Sequence, residues 1–416
     1  MSEYISLNLT AEVLETSDII VVGGGPSGTA AAISAARLGK KVILLEQSGV
    51  LGGMSTLANV ATFMPVGNIT GIFKEICSQI VPETLVNPNV GNYAPQFNPL
   101  LMRYTLLNMA LSEGVCVYLH TRYVSPLLEN NRLTGVSAVT RDGIKAFTAR
   151  VVIDCTGDGR VAIDSGAKYT VGREEDCLTQ PVTLMFQMQD TGKKARCVLP
   201  DGCCEYYNVN ELPQGRILHW EQNKDGTLLV NMTRVKGNGT NPKDINRFEY
   251  ESLKQVFSVA DYLQKNGYEN YVLSSVAPQT GVRETNQILG EYTLSSEDVQ
   301  NGAKFYDVVA QTNYEIDIHS PVGEKHTEEI KIDSYDIPYR TMIPKELKGL
   351  LVSGRAISAT HIAMSSLRVM PTCFALGQAA GIAASLACEN DVELNEININ
   401  ELHKKMKEQG VELDAK

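Results

Sequence analysis

The most constraining feature of this sequence is a glycine-rich turn between two apolar segments near the N-terminus. Residues 18–47 read DIIVVGGGPSGTAAAISAARLGKKVILLEQ, a pattern typical of a strand, a tight turn, an alanine-rich helix and a second strand. Gly23, Gly25 and Gly28 stand in GxGxxG spacing, and Glu46 ends the second strand. This order predicts a βαβ unit that binds a dinucleotide.

Each residue of this unit has a predicted task. Gly23 permits the tight turn, Gly25 lets the backbone approach a pyrophosphate, and Gly28 lets the helix pack on the strand. Glu46 is placed to accept hydrogen bonds from ribose hydroxyls. The other predicted cofactor contacts of this unit are Pro26, Ser27 and Gln47. The alternative is a glycine-rich packing turn that holds no ligand.

A second segment lies about three hundred residues further on, at residues 350–381. Its apolar start, Leu350–Val352, predicts a strand, and Pro371 suits the first position of a helix. The free N–H groups of Thr372 and Cys373 would then point at whatever precedes that helix, where its positive end favours negative charge. The alternative is a buried structural helix whose end is capped by water.

Together the two segments resemble the FAD-dependent oxidoreductase family, whose C-terminal signature contains SGR, RVMPTC and ALGQAAG. Further motifs follow in the family's order: LGGM at 51–54, DCTGDG at 154–159, GVRETNQILGEYTL at 281–294 and IPYR at 337–340. The resemblance implies FAD as the cofactor more firmly than it implies any substrate. It also implies further cofactor contacts at Gly52, Gly53, Met54, Val124, Thr156, Gly157, Asp158, Gly354, Arg355, Arg368, Pro371, Thr372 and Cys373. For Asp158, an ordinary turn is the alternative.

The resemblance implies an α/β fold with a Rossmann-like FAD-binding domain of the glutathione-reductase type. We expect this domain to be discontinuous, formed by residues 1–178 and 336–416. Turn signals at Asn130-Asn131 and Asp142-Gly143 separate alternating apolar runs, which predicts a β-meander within it. Residues 179–335 are predicted to form an inserted α+β domain that covers the flavin and shapes a substrate pocket.

The predicted inserted domain differs from the sequence on either side of it in its pattern of apolar residues. Short alternating segments favour an antiparallel sheet, and they lie at 183–189, 204–210, 215–221 and 226–235. Asn241 and Pro242 predict the cap and first residue of an amphipathic helix that extends to about Lys265.

Composition narrows the class of protein. The 416 residues carry a net charge of −11, which argues against binding to nucleic acid or to an anionic membrane surface. The polar N-terminal segment contains no signal-peptide pattern, and the apolar stretch 374–386 is expected to be too short to span a bilayer. Small residues at four-residue spacing in that stretch predict close packing against a sheet or cofactor. We therefore expect a cytoplasmic protein.

Cysteine usage excludes one familiar flavoenzyme mechanism. The nine cysteines include no Cys-x-x-Cys, which removes the dithiol expected of a disulfide reductase. They form no Cys/His cluster with metal-ligand spacing, so no metal is predicted. Met54-Ser55-Thr56 offers no His or Cys for covalent flavin attachment, and Cys373 is expected to be a packed thiol. FAD is therefore predicted to be non-covalent.

The candidate catalytic residues are His361, Arg283 and Arg234. His361 could act as a general acid or base, or could be a hydrogen-bonded structural residue. The two arginines could clamp a carboxylate bidentately, or could pair with Glu284 and neighbouring acids. Relatives often show arginines at the positions of Asn286 and Gln287, and this departure weakens the case for a shared anionic substrate.

The predicted function is hydride transfer between FAD and an unidentified small organic substrate. No second GxGxxG unit is present, so no dedicated nicotinamide domain is expected. One alternative is a flavin monooxygenase that uses transient NAD(P)H and oxygen. Another is an FAD-binding subunit or sensor that needs an electron-transfer partner. The sequence leaves the oligomeric state open.

Overall fold

The computed structural model of the protein describes residues 5, 10–64, 70–81, 96–195, 199–222, 226–321 and 327–413. Residues 1–4 and 6–9 of the polar N-terminal segment thus lie outside the described part. The strands are β1 (Glu12–Val22), β2 (Val42–Leu45), β3 (Cys116–Tyr118), β4 (Arg122–Glu129), β5 (Arg132–Thr140), β6 (Gly143–Asp154), β7 (Tyr169–Val171), β8 (Phe186–Asp190), β9 (His219–Gln222), β10 (Thr227–Val230), β11 (Tyr271–Val276), β12 (Asn286–Ile288), β13 (Val308–Thr312), β14 (Ile316–His319), β15 (Thr327–Ile330), β16 (Tyr335–Pro338) and β17 (Leu350–Val352).

The described residues form both long helices and helices of one or two turns. The helices are α1 (Pro26–Ala36), α2 (Gly71–Ile80), α3 (Pro99–Ser112), α4 (Arg160–Asp164), α5 (Pro242–Lys265), α6 (Ser296–Gln300), α7 (His361–Leu367), α8 (Met370–Asn390) and α9 (Ile399–Glu408). Asn241 caps α5 by accepting from the Lys243 N–H, which confirms the predicted start of that helix. Its last residue, Lys265, also matches the prediction.

One large sheet organises the α/β fold. Among the described residues it has seven strands in the order β3-β2-β1-β6-β5-β4, with β17 paired to the end of β6. The strands β3, β2, β1, β6 and β17 run parallel. Residues 19–22 and 42–45 are buried because both faces of a parallel sheet are covered, so these strands read as unbroken apolar runs.

The predicted β-meander is confirmed in β4, β5 and β6. These strands pair antiparallel in sequence order, and the turns fall at the two predicted signals. Asn130 and Asn131 adopt φ of 50° and 62°, a left-handed conformation that asparagine tolerates better than most residues. The first half of β6 therefore closes the meander, while its second half pairs with β17.

The predicted antiparallel sheet of the central block is confirmed in part. The strands β11, β8, β10 and β9 form it in that order, and their apolar side chains build a core with α5. The segment 204–210, predicted as a strand, is irregular instead. Asn208 accepts from the Asn210 N–H and caps a single 3₁₀ turn at Val209–Glu211, because a short polar side chain competes with strand pairing.

Helix α8 packs directly across α1. A Cβ on Gly377 would lie 2.0 Å from the Ser27 carbonyl oxygen, and one on Gly381 would lie 2.2 Å from that of Ala31. The small residues therefore serve a helix–helix contact rather than the predicted contact with a sheet or cofactor. The apolar stretch 374–386 lies within the longer helix α8, whose 21 residues are long and apolar enough to cross a bilayer by length and composition alone. Of its most apolar window, however, 89% is buried inside the protein, as in a core helix.

The helix crossing generates a stability prediction. Gly377→Ala should lower the free energy of unfolding by about 1–3 kcal/mol, because the added methyl group forces α8 away from α1. Thermal denaturation of the purified protein measures this change. Glu389→Ala, at an exposed position of the same helix, is the matched control and should change stability little. Equal effects of the two substitutions would contradict the close crossing.

Candidate active site and cofactor-binding site

The glycine turn after β1 has the geometry that its spacing predicts. Gly23 has φ of +101°, and a Cβ there would lie 2.5 Å from the Cys155 carbonyl oxygen. A Cβ on Gly28 would lie 1.8 Å from the Gly23 carbonyl oxygen. Around Gly25, in contrast, a Cβ would meet nothing within 4 Å. Gly23 and Gly28 therefore allow close packing, and Gly25 leaves its backbone next to an open space.

Helix α1 begins at that open space. Its first residue is Pro26, no side chain caps it, and its first turn contains no acidic residue. Its free N–H groups therefore need acceptors, which the phosphates of a dinucleotide supply.

Glu46 has a second role that the sequence analysis missed. One carboxylate oxygen accepts from the Gly24 N–H at 2.7 Å, and the other accepts from the Ser48 N–H at the same distance. The residue is only 5% exposed. Glu46 thus holds the glycine turn in shape, and each oxygen keeps a further lone pair for a ribose hydroxyl. Gln47, the next residue, is exposed.

Two further segments meet this turn. The Gly52 N–H donates to the Gly24 carbonyl at 2.7 Å, and a Cβ on Gly53 would lie 3.0 Å from Gly25 Cα. Met54 occupies the 3₁₀ turn that follows. At the start of β4, the Thr121 N–H donates to the Glu46 carbonyl at 2.9 Å. Val124, the predicted contact in β4, lies three residues further on, at a shift in the pairing of β4 with β5.

The turn after β6 is tied to the C-terminal segment. Arg355 Nε donates to the Gly157 carbonyl at 2.9 Å, and its Nη2 donates to Asp158 Oδ1 at 2.8 Å. Its Nη1 donates to the Val282 carbonyl at 3.0 Å. Thr285 also donates to Asp158. Asp158 therefore takes part in a contact between three segments and is more than an ordinary turn residue; Thr156 supports the same turn by bonding Asp154.

The second predicted segment lies directly against the first. Ser27 Oγ donates to Ser353 Oγ at 2.7 Å, and a Cβ on Gly354 would lie 3.2 Å from that of Ser27. Helix α8 begins at Met370, one residue before Pro371, with no side-chain cap and no acidic residue in its first turn. The buried Thr372 Oγ1 has no hydrogen-bond partner in the part of the chain that the structure describes.

These features fit a flavin dinucleotide. Exposed backbone at Gly25 and the uncapped start of α1 suit the pyrophosphate, while the uncapped start of α8 and Thr372 Oγ1 suit the polar edge of a flavin ring. Cys373 is packed, and burial raises the pKa of its thiol to about 12. It therefore stays a thiol at neutral pH, which does not favour attack on a flavin.

His361, the first residue of α7, is held by a buried carboxylate. Its Nδ1 hydrogen donates to Glu284 Oε1 at 2.7 Å, and the Glu284 side chain has no exposed surface. The other oxygen of Glu284 accepts from the Gln180 N–H at 2.9 Å. His361 Nε2 is buried and has no hydrogen-bond partner among the described residues. The ring is therefore oriented, and one nitrogen remains available for a ligand.

Arg283 and Arg234 lie near one another and near Arg368. Burial, and then the charge of Arg368, lowers the pKa of Arg283 to about 9, so its guanidinium is still a cation at neutral pH. Burial also lowers the pKa of Arg234. The Glu284 carboxylate is taken by His361 and the Gln180 N–H, and Arg283 Nη1 donates to the Pro181 carbonyl at 2.6 Å. Among the described residues Arg283 therefore does not pair with Glu284, whereas the charge of a neighbouring acid, Asp317, acts on both Arg283 and Arg234.

Asp317, the acidic partner of Arg368, was not predicted from the sequence. Asp317 Oδ2 accepts from Arg368 Nη2 and from the Tyr314 hydroxyl, both at 3.1 Å. His319 Nε2 lies 3.4 Å from Asp317 Oδ1, and burial followed by the charge of Arg283 lowers the pKa of His319 to about 3. Asp317 and His319 stand in the short strand β14, whose sequence carries no motif that marks them.

The chain belongs to the FAD-dependent oxidoreductase family, whose sequence profile matches residues 18–406. FAD is accordingly its cofactor, and the protein is an oxidoreductase enzyme.

The sequences of several named proteins match parts of this chain. Thiamine thiazole synthase of Aeropyrum pernix is 36% identical over 121 residues, which are 29% of this chain and 43% of that protein. Digeranylgeranylglycerophospholipid reductase 2 of Methanopyrus kandleri is 28% identical over 168 residues, covering 38% and 42% of the two chains. The matches thus span less than half of these relatives. Among solved structures, the myxobacterial chondrochloren halogenase CndH is 15% identical with a TM-score of 0.47, covering 94% of this chain and 78% of that one.

The two roles of Glu46 can be separated by experiment. Glu46→Ala should weaken FAD binding by about tenfold or more, because charge-assisted hydrogen bonds contribute about 1.5–3 kcal/mol each. It should also lower the melting temperature of the FAD-free protein, since the Gly24 and Ser48 N–H groups lose their acceptor. Reconstitution titrations and melts measure the two effects, with the exposed Glu129→Ala as control. A destabilised protein with unchanged FAD affinity would show that the ribose lies elsewhere.

Proposed function

We propose that the protein transfers a hydride between non-covalently bound FAD and a small organic substrate. The observation that carries this proposal is the unpartnered, buried Nε2 of His361, held by Glu284 next to the segments that meet the flavin site. The Val282 carbonyl accepts from Arg355, and Thr285 donates to Asp158 in the turn after β6. Arg368 lies two residues before α8. When bound, FAD supplies the two-electron chemistry of the reaction.

His361 is the proposed acid–base group. Its Nδ1 hydrogen is engaged by Glu284, so Nε2 presents a lone pair. In the direction of substrate oxidation, a hydride leaves the reacting carbon and the attached O–H or N–H group loses a proton to Nε2. In the reverse direction Nε2 returns that proton. Glu284 is a positioning residue, because its hydrogen bond to Nδ1 orients the ring.

The site joins two parts of the chain. Gln180, Arg283 and Asp317 come from residues 179–335, while His361 and Arg368 come from the C-terminal segment. This arrangement supports the proposal that 179–335 forms the inserted domain that covers the flavin. The meander β4–β6 supports the glutathione-reductase type of the FAD-binding domain, formed by 1–178 and 336–416.

The substrate needs a route to His361. A cleft of about 690 Å³ lies beside this residue, and Arg173, Ile318 and Thr360 are among the residues that line it. Its volume is in the range of small-molecule sites. We propose a small-molecule substrate, with neither nucleic acid nor membrane as a partner, and a cytoplasmic location in keeping with the net charge of −11.

An anaerobic screen tests the proposed reaction. Small metabolites are mixed with the FAD-loaded protein without oxygen, and the flavin absorbance near 450 nm, roughly where oxidised flavins absorb, is followed. Bleaching by one class of metabolite supports hydride transfer. Rapid bleaching by NAD(P)H followed by peroxide release in air would favour the monooxygenase, and turnover only after addition of another protein would favour the electron-transfer subunit.

The non-covalent state of FAD is tested by denaturation. Heat or acid should release a yellow flavin with the mass of FAD into the supernatant, because Cys373 is a buried thiol and Met54-Ser55-Thr56 offers no attachment group. Mass spectrometry of the supernatant and of the pellet measures this. Colour that remains with the precipitated protein, or FMN in the supernatant, would contradict the prediction.

The role of His361 is tested by substitution. His361→Gln should slow flavin reduction by about 10²–10⁴-fold, the usual contribution of general acid–base catalysis, while FAD content stays nearly unchanged. Glu284→Gln should cause a smaller loss and shift the pH profile of the reduction rate, because the ring loses its charged partner. His403→Gln, in α9, removes a histidine that bonds only the Val308 carbonyl among the described residues and serves as control. A His361→Gln rate equal to that of the control would remove His361 from the mechanism.

A further inference from the structure

We infer that the substrate carries a carboxylate, and that Arg283 binds it with Gln180 and Arg368 as supporting donors. This inference rests on the proposed hydride transfer and names the class of molecule that it acts on. No single motif marks this group of residues, because the three side chains come from separate parts of the sequence.

Arg283 has N–H donors that make no hydrogen bond to the described residues. Among the described residues its guanidinium makes one hydrogen bond, from Nη1 to the Pro181 carbonyl, although the group offers five N–H donors. The residue lies deep within the protein and still keeps part of its surface accessible. Its unused N–H groups are therefore available to a ligand.

The neighbouring side chains also lack acceptors. Gln180 is 1% exposed, and within the described part of the chain its Nε2 has no hydrogen-bond partner. Arg368 Nε is buried and also lacks a partner there, while Nη2 of the same residue lies 3.4 Å from Gln180 Oε1. Because native proteins pair their buried donors, two orphaned donors this close together indicate a missing acceptor.

The charges point to an anion. Asp317 is the carboxylate that contacts Arg368, and it offsets one of the two positive charges of Arg283 and Arg368. His319 is neutral at pH 7, because burial and the charge of Arg283 lower its pKa to about 3. Arg234 lies near enough to strengthen the positive potential at Arg283. A buried excess of positive charge is costly, and a bound anion relieves that cost.

A carboxylate suits this site better than other anions. Its two oxygens lie in one plane, and the planar fork of arginine binds them bidentately. Glu284 bonds both His361 and the Gln180 N–H, so the acid–base group and the anion donors share one network. A carboxylate held there places the adjoining carbon atoms close to His361. The substrate is therefore a small organic acid that reacts near its carboxylate.

The absence of arginine at positions 286 and 287 does not argue against this site. Both residues belong to β12, and Asn286 Nδ2 donates to the Asp158 carbonyl at 2.8 Å. The departure from the family pattern thus concerns the turn after β6. Arg283 faces the other cluster, with Arg368 and Asp317 as its charged neighbours.

Ligand titrations of the FAD-loaded protein test the inference. Acetate, malonate and inorganic phosphate are added at constant ionic strength, and binding is followed by flavin absorbance and by calorimetry. We expect saturable binding of acetate or malonate and weaker binding of phosphate. Arg283→Lys should weaken carboxylate binding at least tenfold, because a point charge cannot replace the planar fork. Arg160→Lys, at an exposed ion pair with Asp164, is the matched control and should bind like the wild type.

Several outcomes would overturn the inference. Carboxylate binding that Arg283→Lys leaves unchanged, or phosphate binding as tight as that of malonate, would each contradict it. A variant with altered FAD affinity and unaltered carboxylate affinity would show that Arg283 serves the flavin instead. If Arg283→Lys does not retain FAD, Gln180→Leu provides the same test and should weaken carboxylate binding several-fold.

The two proposals fail in different ways. Arg283-dependent carboxylate binding by a protein that no organic acid reduces, and whose reduced form no organic acid reoxidises, would contradict hydride transfer and leave the anion site in place. A substrate without a carboxylate that bleaches the flavin would support hydride transfer and overturn the carboxylate inference.

Discussion

The close crossing of α1 and α8 is the contact on which the rest of the site depends. Two glycines on α8 allow its backbone to reach carbonyl groups of α1, so the chain's second cofactor segment lies against the first. The same contact sets where α8 begins, and it thereby places the uncapped helix end and the preceding Arg368. Shifting this crossing would move the cofactor contacts and the arginine cluster together.

The neighbouring residues Arg283 and Glu284 contribute to different parts of the site. Arg283 lies beside the cations Arg234 and Arg368, while Glu284 holds His361. Adjacent residues with opposite charges would pair in many surface loops, yet here each has a different partner. Thr285 and Val282 on either side attach this dipeptide to Asp158 and Arg355. The segment is therefore fixed between the cofactor turn and the acid–base pair.

The predictions succeed where the chemistry is encoded locally. The glycine turn, the meander turns, the cap of α5 and the start of α8 each depend on residue types within a few positions, and all lie close to where they were expected. The partners of the arginines were missed because Asp317 and Gln180 reach them only through tertiary packing. Residues 204–210 were misjudged because alternation of apolar residues does not reveal that Asn208 bonds its own backbone. The structural role of Glu46 was not predicted, because an acidic residue at this position is already expected for binding the ribose.

The position of β17 has a consequence for the order of events during folding. This strand pairs with β6 about two hundred residues earlier in the chain, and α8 then covers α1 more than three hundred residues back. Contacts of such long sequence separation form late, because a large loop must first be closed. During synthesis, the glycine turn therefore leaves the ribosome long before α8 can cover α1. FAD can therefore be captured in its final geometry only once α8 covers α1.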